Sequence, residues 1–127
     1  MTISLLQYIS DLKNEIKSWD NELTYYINEI TLLNDRINSY LSRSIDEFDF
    51  KKLEKFKASN TILLGRAKSL FYEIEGFNDT LILKKNDKKV STESFDQYQF
   101  FKEKLDDFAN DFMCIKDQTV RFTISSL

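Results

Sequence analysis

The sequence predicts an all-α fold, an elongated antiparallel three-helix bundle of the coiled-coil type that runs up, down and up. The chain of 127 residues contains no proline and only two glycines, and long helices exclude both residue types from their interiors. Apolar residues also recur at alternating spacings of three and four in three separate stretches. Such spacing is typical of helices that bury one narrow seam against neighbouring helices.

The first helix is predicted over residues 3–42. Eleven apolar or aromatic residues follow an unbroken alternation of four and three positions: Leu5, Ile9, Leu12, Ile16, Trp19, Leu23, Tyr26, Ile30, Leu33, Ile37 and Tyr40. At 1.5 Å per residue the helix is roughly 60 Å long. Its seam needs partner helices to cover it, so the stretch predicts packing and no particular activity.

A short break is predicted around residues 42–44. Ser44 and Glu47 have the spacing of a capping box, in which the serine caps the new helix and the glutamate lies in its first turn. Asp46 adds negative charge where the helix dipole favours it. Because the connection is short, the first and second helices are predicted to be antiparallel neighbours.

The second helix is predicted over residues 45–83. Its seam consists of Leu53, Phe56, Asn60, Leu63, Ala67, Leu70, Ile74, Phe77 and Leu81. Two interpretations of Asn60 stay open: a buried asparagine that specifies register at a cost in stability, or a half-exposed one where the bundle is imperfect. Gly76 weakens the end of the helix, so we expect fraying or a bend before Leu83.

Residues 84–91 are predicted to form a basic loop, because they are polar, highly charged and without periodicity. The third helix is predicted over residues 92–122, capped by Ser91 or Thr92. Its seam consists of Tyr98, Phe101, Leu105, Phe108, Phe112, Ile115, Thr119 and Phe122. Residues 123–127 are mostly small or β-branched and are expected to fray. The whole chain, 1–127, is thus predicted to be one helical-bundle domain.

Charge favours pairing of the helices within one chain. Residues 1–43 carry four cations and six anions, residues 44–90 ten and eight, and residues 91–127 four and seven. A basic middle segment therefore lies between two acidic ones. A homodimer through the first helix is the alternative, but it brings Glu15 near Asp20 of the other copy, and its aromatic seam residues fit a two-stranded coil poorly. Self-association of the finished bundle stays open.

In architecture, three long heptad helices with Trp19 on the first seam resemble a spectrin-type repeat. The resemblance covers architecture alone, because any three-helix coil shares this periodicity. The sequence is therefore assigned to no family.

Few residues suit catalysis or metal binding, so we predict neither an enzyme nor a cofactor. Histidine is absent, which removes the usual general base and the commonest metal ligand. Cys114 has no histidine to activate it and is expected to be a partly buried thiol on a helix flank. Asp106, Asp107 and Asp111 cluster in the third helix, but a run of acids on a helix is typical of a solvated face, so no metal site is predicted.

The location is predicted to be cytoplasmic. A single cysteine cannot form an internal disulfide, which fits a reducing compartment. The first residues contain no basic segment before an apolar stretch. No apolar run approaches the roughly 20 residues that a membrane span needs.

A protein partner, or a second copy of the chain, is the predicted ligand. Several apolar residues lie outside the seams and their flanks, and contiguous exposed apolar surface usually marks an interface. The candidate partner-binding residues are Tyr25, Leu32, Tyr72, Phe100 and the loop lysines Lys84, Lys85, Lys88 and Lys89. The sequence therefore predicts a non-enzymatic module for protein–protein interaction or assembly.

Two other functions stay open. The basic segment 84–89 is suited to nucleic acid phosphates, with salt-sensitive affinity, although the net charge of −3 disfavours a general affinity for nucleic acid. A cavity between mismatched aromatic side chains inside the bundle would instead hold a small ligand.

Overall fold

Three long helices make up the fold. The computed structural model describes residues 5–43, 45–83 and 90–126, and the side chains of residues 7–43, 45–81 and 93–123. The helices are α1 (Leu5–Leu41), α2 (Glu47–Leu83) and α3 (Val90–Ser126). Each helix contacts both of the others. The predicted three-helix bundle is thereby confirmed.

The predicted seams form the core. In α1, every seam residue from Ile9 to Ile37 is buried, and α2 and α3 bury most of theirs. The fully buried apolar side chains include Leu23, Ile30, Leu53 and Ile74, each with 0% of its surface exposed. Burial of this narrow apolar stripe is what holds helices of such length together, because helical propensity alone contributes little.

Asp46 is the residue observed to cap α2. The Asp46 Oδ1 atom accepts a hydrogen bond of 2.8 Å from the backbone N–H of Asp49, which is the N3 position of the helix. The backbone N–H of Phe50 donates to the Asp46 carbonyl at 3.0 Å, closing the first turn. The predicted start at residue 45 was therefore two residues early, and Ser44 lies outside the described residues. Downstream, α2 continues through Gly76 to Leu83, so the expected fraying before Leu83 is not observed.

The third helix is longer than predicted at both ends. It begins at Val90, two residues before the expected start, and continues to Ser126. The last two residues of the predicted loop 84–91 therefore belong to α3, and residues 123–126 are helical where fraying was expected. The physical reason is that residues 90–126 contain neither glycine nor proline, so nothing in this stretch breaks the helix.

Aromatic contacts fix the directions of the helices. Between α1 and α3, Trp19 stacks on Tyr98 with ring centres 5.3 Å apart, and further along both helices Tyr26 lies 4.8 Å from Phe112. These two helices are therefore parallel. Between α2 and α3 the order is reversed, because Phe56 contacts Phe122 and Phe77 contacts Phe101. The topology is thus up, down and up, as predicted.

The core contains polar side chains as well. Asn60 is 0% exposed and Thr119 is 1% exposed, and the register set by the Phe56–Phe122 contact places them at about the same level of the bundle. The Asn60 Nδ2 group donates to the Phe56 carbonyl at 3.0 Å. Its Oδ1 atom, like that of Asn34, is buried without a hydrogen-bond partner among the described residues. Of the two interpretations of Asn60, the buried one is correct.

Candidate functional site

Large apolar side chains remain on the surface of all three helices. They are Tyr25, Leu32, Phe48, Phe50, Ile62, Tyr72, Phe95, Phe100 and Met113. Single exposed apolar residues are ordinary on protein surfaces, so the informative question is which of them share a face. Met113 and Phe95 were not singled out in the sequence, although their positions in the heptads of α3 lie outside the buried seam.

The four candidate apolar residues are exposed but lie on different faces. Tyr25 and Leu32 are 51% and 52% exposed and lie two helical turns apart on one side of α1. Tyr72 of α2 is 72% exposed and Phe100 of α3 is 50% exposed. The candidate lysines, at positions 84, 85, 88 and 89, lie outside the described residues.

Tyr72 forms one wall of a groove between α1 and α2. The groove has a volume of about 280 Å³ and is lined by Thr24, Ile27, Lys68, Phe71 and Tyr72. The Phe71 and Tyr72 rings meet edge to face, with ring centres 5.9 Å apart. Phe71 and Ile27 also pack against the core, so this groove offers an apolar floor beside an exposed aromatic ring.

A larger groove lies between α2 and α3, with a volume of about 560 Å³ and with Leu70 and Phe108 in its lining. Its cations are paired across the two helices. Arg66 Nη1 lies 2.9 Å from Asp111 Oδ2, and Lys104 Nζ lies 3.8 Å from Glu73 Oε2. This groove could not be predicted from the sequence, because it results from the antiparallel register of α2 and α3, which brings these flanking charges together.

Tyrosines and an ion pair connect α1 to α3. Tyr98 Oη donates to Glu15 Oε1 at 3.4 Å, and Lys116 Nζ lies 3.2 Å from Glu29 Oε2. Burial raises the pKa of Tyr98, and the charge of Glu15 and the hydrogen bond to it act in the same direction. Tyr98 therefore stays neutral and serves as a hydrogen-bond donor.

No family model matches this chain. No curated protein and no solved structure is significantly similar to it either. The function has to be argued from the residues of the chain itself.

A pair of carboxyl groups lies between α1 and α2. The pKa of Asp20 is raised from 3.8 to about 7, chiefly by burial and in part by the hydrogen bond with Glu75 and the charge of Glu75. The Asp20 Oδ1 atom is buried without a partner among the described residues. Two carboxyl groups joined by a hydrogen bond titrate as a pair, and this pair could not be predicted before the register of the helices was known.

The remaining candidates for chemistry lie apart from one another. Cys114 is exposed, not partly buried as expected, because its position in the heptad faces away from both neighbouring helices. Asp111 pairs with Arg66, while Asp107 lines the groove between α2 and α3. Among the described residues, no cluster of three acidic or cysteine side chains is arranged to hold a metal ion. None of the described helices combines the length and apolarity needed to cross a membrane.

Proposed function

We propose that this chain is a non-enzymatic module for protein–protein interaction or assembly. The observation that carries the proposal is the exposure of large apolar side chains: Ile62, Tyr72 and Met113 are 65%, 72% and 61% exposed on a bundle whose core is already filled. Exposed aromatic and aliphatic side chains are the usual anchors of protein interfaces. The absence of histidine from the sequence supports the non-enzymatic part of the proposal.

The proposal extends to the packing and location of the module. We propose that its seams interlock as in a coiled coil, because the buried residues follow the alternating three and four spacing along each helix. We also propose a cytoplasmic location, because the lone cysteine is exposed and free, which suits a reducing compartment.

The proposal can be tested by photo-crosslinking in cells that produce the chain. The photoreactive residue p-benzoylphenylalanine replaces Tyr25, Tyr72 or Phe100 in turn, and as a control it replaces the exposed Gln118 of α3. We expect adducts of discrete mass from at least one aromatic position, and weaker or no adducts from the control. Excess unmodified chain should reduce these adducts by competition. Equal labelling at all positions, or none at any, would contradict an interaction function.

A further inference from the structure

The outer side of α2 carries a second row of residues opposite its buried seam. This row, here called the outer seam, repeats the same three and four spacing and is exposed along its whole length. It consists of Phe48, Lys51, Lys55, Ala58, Ile62, Gly65, Ser69, Tyr72, Gly76 and Asp79. Any straight helix has such a row, so its composition is what matters.

The middle of the outer seam carries no charge. Between Lys55 and Asp79, over more than five turns, it contains only small or apolar residues and one tyrosine. The corresponding side of α3 carries Phe100 and Cys114 among six charged residues: Glu93, Asp96, Glu103, Asp107, Asp117 and Arg121. That of α1 is uncharged between Asp11 and Asp35 but carries the polar residues Asn14, Ser18, Asn21 and Asn28. A solvated helix face normally carries polar or charged residues of this kind. The outer seam of α2 therefore has the composition of a contact surface.

We propose that the outer seam of α2 docks antiparallel on the outer seam of a second copy of this chain. This inference rests on the proposed interaction function and names its partner. A two-fold axis between Gly65 and Ser69 brings Ile62 of each copy against Tyr72 of the other. These are two of the most exposed large apolar side chains, 65% and 72% exposed. A two-fold interface requires such self-complementarity.

The residues at the axis permit a close approach of the two helices. Gly65 of one copy meets Ser69 of the other. A Cβ atom added at Gly65 or Gly76 has nothing within 4 Å, so this surface is open to a second helix. Small residues at a helix crossing let backbones come near enough for the flanking Ile62 and Tyr72 side chains to interlock.

Charge selects the antiparallel orientation. Residues 47–66 carry five cations and three anions, a net charge of +2, while residues 67–83 carry one cation and three anions, a net charge of −2. An antiparallel pair places unlike halves together, with Lys55 of each copy opposite Asp79 of the other. A parallel pair places like halves together and is disfavoured. In this register Lys68 lies close to the axis and opposite Arg66 of the other copy. These two cations are expected to oppose the association, although Arg66 is paired with Asp111 of its own chain.

Sedimentation velocity of the purified full chain tests the proposal. We expect a reversible monomer–dimer equilibrium, and Ile62→Asp should raise the dimer dissociation constant at least ~10-fold. Phe95→Asp is the matched control, because Phe95 is also a largely exposed apolar residue but lies on α3, and it should leave the constant unchanged. Helical circular dichroism should be retained in both variants. A chain that is monomeric up to roughly 100 µM would overturn the proposal.

Charge exchange tests the orientation and register. At low salt, Lys55→Asp and Asp79→Lys should each weaken the dimer about 5-fold, because each places like charges opposite one another. The double variant should restore the dissociation constant of the original chain. Lys68→Ala should tighten the dimer, a gain that damage to the fold cannot produce. If the double variant instead weakened the dimer by the product of the two single effects, the antiparallel register would be wrong.

The failures of the two proposals can be told apart. If the chain is monomeric and yet photo-crosslinks from Tyr25 or Phe100 to a different protein, the α2 dimer is wrong and the interaction function stands. If it neither dimerises nor forms adducts from any aromatic position, both are wrong. Dimers that survive Ile62→Asp but are lost on Phe95→Asp would place self-association on α3 and contradict the role of the outer seam.

Discussion

Asp20 lies on the flank of α1 that faces α2, where its carboxyl group meets that of Glu75. Its pKa is raised to about 7, above the ordinary value, so between about pH 4 and pH 7 the folded chain binds more protons than the unfolded chain. Stability from this group is therefore present at low pH and falls as the pH rises through that window. Because the pair is partly exposed and screened by solvent, the loss is about 1 kcal/mol.

We predict that Asp20→Asn removes this dependence. An asparagine amide can donate to the Glu75 carboxylate at any pH, so the variant should be more stable than the original chain at pH 8 and about equal at pH 4. Urea unfolding at a series of pH values measures the difference. Asp35→Asn, at an exposed position of the same helix, serves as the control. If the stability of Asp20→Asn and of the original chain fell in parallel with pH, the carboxyl pair would not be coupled as described.

Asn60 is a buried polar residue whose replacement by an apolar residue is expected to stabilise the fold. Its Oδ1 atom is buried without a partner among the described residues, and such an atom costs about 1–3 kcal/mol. We predict that Asn60→Leu stabilises the bundle, with a rise in melting temperature of about 4 °C. Thermal unfolding followed by circular dichroism measures it. Leu63→Asn, one turn away and also buried, should instead lower the melting temperature, and a lower value for Asn60→Leu would show that its amide is needed.

At the scale of the helices, the sequence predicted that the three helices exist more accurately than it predicted where each begins and ends. The alternating seams specified all three helices, because burial of an apolar stripe repeats along the whole element. Ends depend on single caps, and the sequence predicted Ser44 as the cap of α2 and Asp46 only as a first-turn charge, whereas Asp46 is observed to cap the helix. A cap depends on local backbone geometry, which periodicity does not encode. At α3 the sequence offered a cap at Ser91 or Thr92, yet the helix begins at Val90.

The cap of α2 leads to a prediction. Asp46→Ala should cost about 1 kcal/mol of stability, because the N–H of Asp49 loses its acceptor. Asp46→Asn should restore most of that stability, because asparagine is an equally good cap and lacks only the charge. Equilibrium unfolding in urea compares the three chains. Equal stability of the alanine and asparagine variants, both below the original, would mean that charge and not capping is what matters.

At the scale of the whole molecule, the net charges of the three segments predicted the right topology, but the observed ion pairs only partly match the predicted pairing. The basic second segment was expected to pair with the acidic first and third. Arg66 and Asp111 fit that expectation, but Lys104 of the acidic α3 pairs with Glu73 of α2, and Lys116 pairs with Glu29 of α1. Segment totals average over faces, whereas ion pairs form only where a flank meets a flank. For the surface site, the sequence could predict only which apolar residues are exposed. Which of them share a face depends on the register of the helices.

Those ion pairs provide a test of the topology that does not depend on the core. A carbodiimide joins a lysine and a carboxylate that are in direct contact, without a spacer. In the monomer fraction of dilute protein, we expect amide bonds between Lys116 and Glu29 and between Lys104 and Glu73, identified by mass spectrometry of the digested chain. The reason is that their side-chain atoms lie 3.2 Å and 3.8 Å apart.

Lys116→Gln should remove the first of these crosslinks and preserve the second, which controls for reactivity. The first requires α1 and α3 to be parallel, because Glu29 and Lys116 both lie beyond the Trp19–Tyr98 contact in the same direction along the bundle. The second requires α2 and α3 to be antiparallel, since Glu73 precedes Phe77 while Lys104 follows Phe101. A crosslink between Lys116 and Glu15 in the monomer would reverse the direction of α3 against α1. Such a crosslink would contradict the up, down and up order of the helices, and the exposure of the outer seam of α2 depends on that order.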